Sequence, residues 1–291
     1  MSTTNHGEYF IPEPSKWPLV GTVALTTTVI GAVTSIHGGS VNWILPVGIL
    51  LIAYLFYGWF GAVIDESQAN NYNDQVDRSF RIGMLWFIFS EVMFFAAFFG
   101  ALFYARTIAV PWLGGASNNA MTNELLWPGF QAVWPLLTNP DNTKFVAPEH
   151  AMGALGLPAI NTALLLTSSV TITLAHHALR AGHRKPLIWW LAATVALGVA
   201  FIFFQVEEYM VAYQEMGLTL SSGIYGSTFF LLTGFHGFHV TMGATMIAII
   251  LVRAIKGHFT PEKHFAFEAV AWYWHFVDVV WLGLYIFVYW L

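Results

Sequence analysis

The chain has 291 residues, of which 57% are apolar, 17% aromatic and only 9% charged, and its mean hydropathy is +0.61. Soluble domains carry about a quarter charged residues, so much of this surface must face something other than water, and the solvent that fits is a bilayer. The net charge of −5, without a basic run, excludes a nucleic-acid partner, and the absence of cysteine excludes disulfides, Fe–S clusters and thiolate zinc sites.

The first stretch, MSTTNHGEYFIPEPSKWPLV, is polar and has one lysine before Trp17. It lacks the basic region and cleavage site of a signal peptide, so a mature, non-cleaved start is expected. A bilayer core of about 30 Å needs about 20 apolar residues in helix. Seven stretches qualify: Trp17–Ile36, Val41–Ile64, Ile82–Ala105, Pro158–Leu179, Pro186–Gln205, Tyr225–Val252 and Phe265–Leu291. The predicted class is therefore an all-α polytopic membrane protein. IHGGS makes a tight hairpin of the first two spans, and the charge-rich segment 65–81 separates residues 1–64, with spans one and two, from residues 82–291, with spans three to seven. A long connection at about 107–157, rich in Pro, Gly and Asn, places Trp112, Trp127 and Trp134 for the membrane interface. With the N-terminus cytoplasmic and the C-terminus periplasmic, nine of the eleven basic residues fall inside and only Arg106 and Lys144 outside, which follows the positive-inside rule.

Ionisable groups within the spans are costly and must face protein, lipid headgroups or water. Glu91 lies ten residues past Arg81, about 15 Å into the membrane, and is neutral, paired across helices, or solvated by buried water. In the last span Glu268, His275 and Asp278 share an arc of about 80°, and in the sixth Thr228, His236, His239 and Gly243 do the same. Gly234 and Gly237 allow close helix approach. His236, His239 and His275 can be read as metal ligands or as hydrogen-bonding groups. The second reading is preferred, because polar groups inside a helix need partners before they need an ion. The same reasoning makes His176 and His177 structural. Glu207 and Glu208 are expected near the outer surface, at least one of them solvated. Glu66, Arg253, Lys256 and His258 cluster at the inner interface, where they either bind anionic headgroups or serve as positive-inside anchors.

The segments WPLVG, FRIGMLWFIFSEVMFF, LPAINTALLLTSSVTITLAHHAL, YGSTFFLLTGFHGFHV and FEAVAWYWHFVDVVWL resemble subunit III of the haem-copper oxidases, the cytochrome c oxidase subunit III family, over nearly the whole chain. The resemblance implies seven helices in a two-plus-five arrangement around a V-shaped cleft that holds phospholipids. It implies no catalytic residue, metal, haem or copper in this chain, with haem and copper carried by subunits I and II of a proton-pumping complex. A small fourth subunit and a respiratory supercomplex are further implied partners. Glu91 matches the family's motif glutamate on the proton-uptake side, and Trp59, Glu66, Arg253, Lys256 and His258 match its lipid contacts. The polar network His236, His239, Glu268, His275 and Asp278 is expected to knit the last helix to its neighbours for docking on subunit I. Gly61 and Asp65 stand where many relatives carry arginine, which puts headgroup binding there in question. The long outer connection is expected to meet a neighbouring subunit or partner complex. A quinol oxidase subunit III is the alternative, and an independent transporter is a weaker one, since no inverted repeat is visible. The polar start and large outer connection favour a bacterial inner membrane over a mitochondrial one.

Overall fold

The computed structural model describes residues 14–38 and 43–291. The polar start before residue 14, and the IHGGS turn beyond Gly38 with the expected start of the second span at Val41, lie outside the described residues. Among the described residues every regular element is helical: α1 (Trp17–Ile36), α2 (Ile44–Gln68), α3 (Asp74–Tyr104), α4 (Val110–Leu113), α5 (Ala120–Leu126), α6 (Leu157–Arg180), α7 (Arg184–Glu215), α8 (Ile224–Lys256) and α9 (Phe265–Leu284). π-helical turns at Ala105–Ala109 and Tyr285–Trp290 follow α3 and α9. Seven of these runs are long and apolar enough to cross a membrane.

Two helices outrun their sequence-based bounds by eight residues or more, α3 at its start and α7 at its end. Helix α3 begins at Asp74 rather than Ile82 because Asn73 caps it, its Oδ1 accepting from the Val76 N–H at 3.0 Å, and Asp74 and Asp77 favour the positive end of the helix. The charged connection expected over 65–81 therefore shrinks to 69–73. Inside it Tyr72 donates to Glu66 at 2.7 Å, and burial first, then the hydrogen bond to Glu66 and its charge, hold that phenol well above its usual range. Helix α7 continues past Gln205 to Glu215 because Glu208 is not at a solvated helix end. It is fully buried, and the Tyr289 hydroxyl donates to its Oε1 at 2.6 Å.

The chain forms two compact units that divide between Ile82 and Gly83. In the first, α1 and α2 pack through small residues. A methyl group on Gly31 would stand 2.5 Å from the Leu45 Cα, and one on Gly48 would stand 2.6 Å from the Thr28 Cα, so the two backbones touch where only glycine fits. In the second unit the core lies among α6, α7, α8 and α9, with Trp274, Trp281, Phe201 and Phe229 fully enclosed. Trp274 is clasped by two glycines: a Cβ on Gly243 or Gly198 would come within 2.7 or 2.9 Å of its ring. The close approach expected at Gly237 is absent, since nothing lies within 4 Å of its Cβ direction, and Gly234 meets only the Tyr209 hydroxyl at 3.6 Å. Leu85, Trp86, Phe89 and Met93 on α3 remain exposed, as a bilayer-facing surface requires.

The long connection is anchored to the segment that joins α7 to α8 and to the start of α8. Asn139 Nδ2 donates to the carbonyls of Phe145 (2.9 Å) and Ser222 (3.1 Å), the Glu149 N–H donates to Met216 O at 2.9 Å, and the Met152 N–H donates to the Tyr225 hydroxyl at 3.1 Å. Trp127 and Trp134 are partly buried and pack against the core, whereas Trp112 stays 46% exposed. Filling one of the glycine clasps tests the packing. Gly243→Val is expected to push Trp274 out of its seat at a cost of about 1–3 kcal/mol, read as a lowered thermal unfolding midpoint of the detergent-solubilised protein, with Gly237→Ala as a near-neutral control.

Candidate functional site

Helix α6 carries Thr162, Ser169, Thr173 and His176 within an arc of about 60°, a polar stripe on an apolar rod. That stripe and the neighbouring Ser168 meet α9. Trp281 Nε1 donates to Thr162 Oγ1 at 2.9 Å, and Trp274 Nε1 donates to Ser168 Oγ at 2.9 Å. Ser169 Oγ donates to Asp278 Oδ2 at 2.8 Å and lies 3.1 Å from His275 Nδ1, so Nδ1 carries the proton that the serine oxygen accepts. Farther along, His176 Nε2 comes within 3.6 Å of Glu268 Oε1. Partners on α9 move toward its N-terminus as α6 runs toward its C-terminus. The seam is therefore antiparallel, and each polar group is matched by one across it.

The five residues expected to form one network fall into separate groups. Asp278 and His275 share Ser169, a partner the sequence reading missed. Glu268, grouped with them by helical phase, lies two turns away and meets His176 and His264 instead. His236 is fully buried, and its Nε2 donates to the Val277 carbonyl of α9 at 3.1 Å, with the Phe201 and Trp281 rings around it. His239 turns the other way, toward α3. His236, His239 and His275 thus do not converge on a common point, and the metal site weighed for them has no geometry here. The missed residues had a signal in the hydroxyl spacing of α6, which shows only when that helix is read by itself for polar periodicity.

Glu91 is paired across helices, the second of its three expected states. Its Oε2 lies 2.9 Å from His239 Nε2, while His239 Nδ1 lies 2.6 Å from the Phe235 carbonyl of its own helix. A carbonyl only accepts, so Nδ1 holds a proton. Nε2 and the carboxylate then share one more between them, either as carboxylic acid and imidazole or as carboxylate and imidazolium. Phe94, Phe95, Phe238 and Tyr273 surround the ring and leave the pair in an apolar pocket, where the hydrogen bond is worth more than it would be in water.

Trp59, on the first unit, is 45% exposed, and Glu66 on the same helix accepts from Tyr72. On the second unit Arg253 is only 8% exposed, its guanidinium lies 4.7 Å over the Phe259 ring, and its Nε has no partner among the described residues. Lys256 is exposed beside it. Partial burial first, then the charges of Arg253 and Lys256, hold His258 below the usual imidazole value, so it is neutral near pH 7 and gains charge on acidification.

Comparison with known proteins adds a family to this geometry. The cytochrome c oxidase subunit III profile matches residues 7–127 and 143–291, leaving out the first six residues and a piece of the long connection. The chain is 41% identical to cytochrome c oxidase subunit 3 of Sus scrofa, 39% to that of Madoqua guentheri and 40% to that of Oncorhynchus clarkii, each over 97% of this chain and 96% of the relative.

Two substitutions test the site. Ser169→Ala leaves His275 and Asp278 without their shared partner and is expected to cost about 1–3 kcal/mol in unfolding measurements, with Ser169→Thr restoring most of it. Glu91→Gln keeps the shape and hydrogen-bonding reach of the side chain and is expected to fold normally. If the pair is acid and imidazole, the substitution deletes a protonated-carboxyl C=O band from the infrared difference spectrum. If it is an ion pair, a carboxylate band is lost instead.

Proposed function

Because the chain belongs to the cytochrome c oxidase subunit III family, we propose that it is the non-redox, lipid-binding subunit of a proton-pumping oxidase that takes its electrons from cytochrome c. It is a multi-pass membrane protein and a subunit of a terminal oxidase, an oxidoreductase complex that contains other subunits. Subunits I and II are the partners proposed to carry the haem and copper. The relatives above are named for cytochrome c oxidases, which favours cytochrome c over quinol as donor.

The observation that carries the non-redox reading is the private partnering of the intramembrane imidazoles. His236 is matched to Val277 O, His239 to Glu91 and His275 to Ser169, so each is used in holding helices together. Such a framework gives subunit I a stiff surface to dock on. Glu91, midway along α3, is the proposed acid near the proton-uptake side, where a proton held between it and His239 keeps the site neutral as a pair. On the second unit the buried guanidinium of Arg253, with Lys256 beside it, suits a lipid phosphate, and on the first unit Trp59 and Glu66 are separately proposed lipid contacts. The two-plus-five arrangement with its lipid-filled cleft, the cytoplasmic N-terminus and the periplasmic C-terminus rest on the family resemblance and on the charge bias of the connections. A bacterial inner membrane is the preferred location.

Purification in mild detergent through a tag on this chain is expected to bring down haem-containing subunits that oxidise reduced cytochrome c. Asp278→Ala is expected to lower the yield of that complex while the haem spectrum of what remains is unchanged. Recovery of the chain alone, without haem, would overturn the assignment, and oxidation of quinol but not of cytochrome c would move it to the quinol branch.

A further inference from the structure

At the end of the spans rich in lysine and arginine, where the α6–α9 seam closes, three side chains meet. His176 comes from the last turns of α6. His264 caps α9, and Glu268 follows it four residues later. His176 Nε2 and His264 Nε2 are 3.4 Å apart, His264 Nε2 and Glu268 Oε1 are 3.3 Å apart, and His176 Nε2 and Glu268 Oε1 are 3.6 Å apart. Among the described residues this is the group whose ligand atoms converge closely enough to hold a metal ion.

From these distances we propose a zinc-class divalent cation site formed by His176, His264 and Glu268. All three separations are long for hydrogen bonds, which centre near 2.9 Å. They match instead the edge of a tetrahedron around an ion: with Zn–N and Zn–O bonds of about 2.0–2.1 Å, neighbouring ligand atoms stand about 3.3–3.4 Å apart. His264 is oriented from behind: its Nδ1 lies 3.1 Å from the Thr260 carbonyl and donates to it, which turns Nε2, the ring nitrogen that would ligate, toward His176 and Glu268. A histidine oriented by a backbone carbonyl behind it is the usual outer support of a metal ligand. Two imidazoles and one carboxylate make a donor set suited to zinc, with the fourth position open to water. This revises the expectation that the chain's imidazoles meet only protein groups and that it holds no metal. The ion has no redox role. It ties the end of α6 to the start of α9 and closes one end of their seam.

The test uses the intact, detergent-solubilised oxidase complex, stripped with a chelator and titrated with radioactive zinc, alongside His264→Ala and Glu268→Gln complexes carrying the same subunits. The difference between wild type and variants isolates this site from any other metal in the assembly. Wild type is expected to bind one more zinc equivalent than His264→Ala over the same range, with affinity at the site falling about 100-fold in His264→Ala and about 10-fold or more in Glu268→Gln. X-ray absorption at the zinc edge, taken as wild type minus variant, is expected to show two imidazoles and oxygen ligands. If His264→Ala fails to assemble, His176→Asn takes its place. Equal zinc uptake by wild type and variants, or a difference spectrum without imidazole, would overturn the proposal.

Discussion

The constraint on which the second unit depends is that hydrocarbon offers no hydrogen bonds. Each hydroxyl, imidazole or carboxylate placed in a span needs a partner, on its own helix or on another. The antiparallel seam of α6 and α9 meets that demand by pairing indole with hydroxyl, and hydroxyl with both carboxylate and imidazole, along one line. Apolar contact alone distinguishes poorly between one helix face and another when lipid is as greasy as leucine. The polar pairs supply the register, and the glycines at 198 and 243 then let Trp274 seat between the helices. Further links extend the frame: Thr171 to Thr194 between α6 and α7 at 2.8 Å, Tyr209 to Thr233 between α7 and α8 at 2.7 Å, and His239 to Glu91 between α8 and α3.

How far this was legible in the sequence differs by feature. The seven spans could be read because twenty-odd apolar residues have few other uses, and α1 matches its expected bounds to the residue. The start of α3 could not, because hydropathy is blind to a helix that continues beyond the hydrocarbon under a capping asparagine. The sequence left open which of Glu207 and Glu208 meets solvent, and it is Glu207 that is half-buried while Glu208 is fully buried. A carboxylate near a helix end looks solvated unless the tyrosine that covers it, 81 residues on, is known to fold back. Helical phase put Glu268 on the same side of α9 as His275 and Asp278, and that is correct as angle. Phase says nothing of distance along the axis, and two turns were enough to give Glu268 different company. The resemblance to a family supplied the identity of the chain, which periodicity alone cannot.

Taken together, the described polar side chains of the spans tie helix to helix: Ser169 to Asp278 and His275, His236 to the Val277 carbonyl, and His239 to Glu91. The acid at 91 is partly buried and meets the imidazole of His239, whose ring is surrounded by Phe94, Phe95, Phe238 and Tyr273. The cluster of His176, His264 and Glu268 lies instead at helix ends, joining the last turns of α6 to the first turn of α9.

The hydroxyls of α6 have one more property, which concerns the order in which the protein is made. Thr162, Ser168 and Thr173 each also donate to a carbonyl of their own helix, at 2.8, 2.7 and 2.8 Å. The rod can therefore enter the bilayer with these donors already satisfied and wait for α9 without paying for naked polar groups. When α9 is threaded in, its indoles donate to oxygens that still have lone pairs to spare, so the earlier bonds need not break. Ser169 is different, for both of its bonds lie across the seam. Synthesis up to α8 leaves that one hydroxyl unanswered, and the arrival of Asp278 and His275 is what completes the bundle.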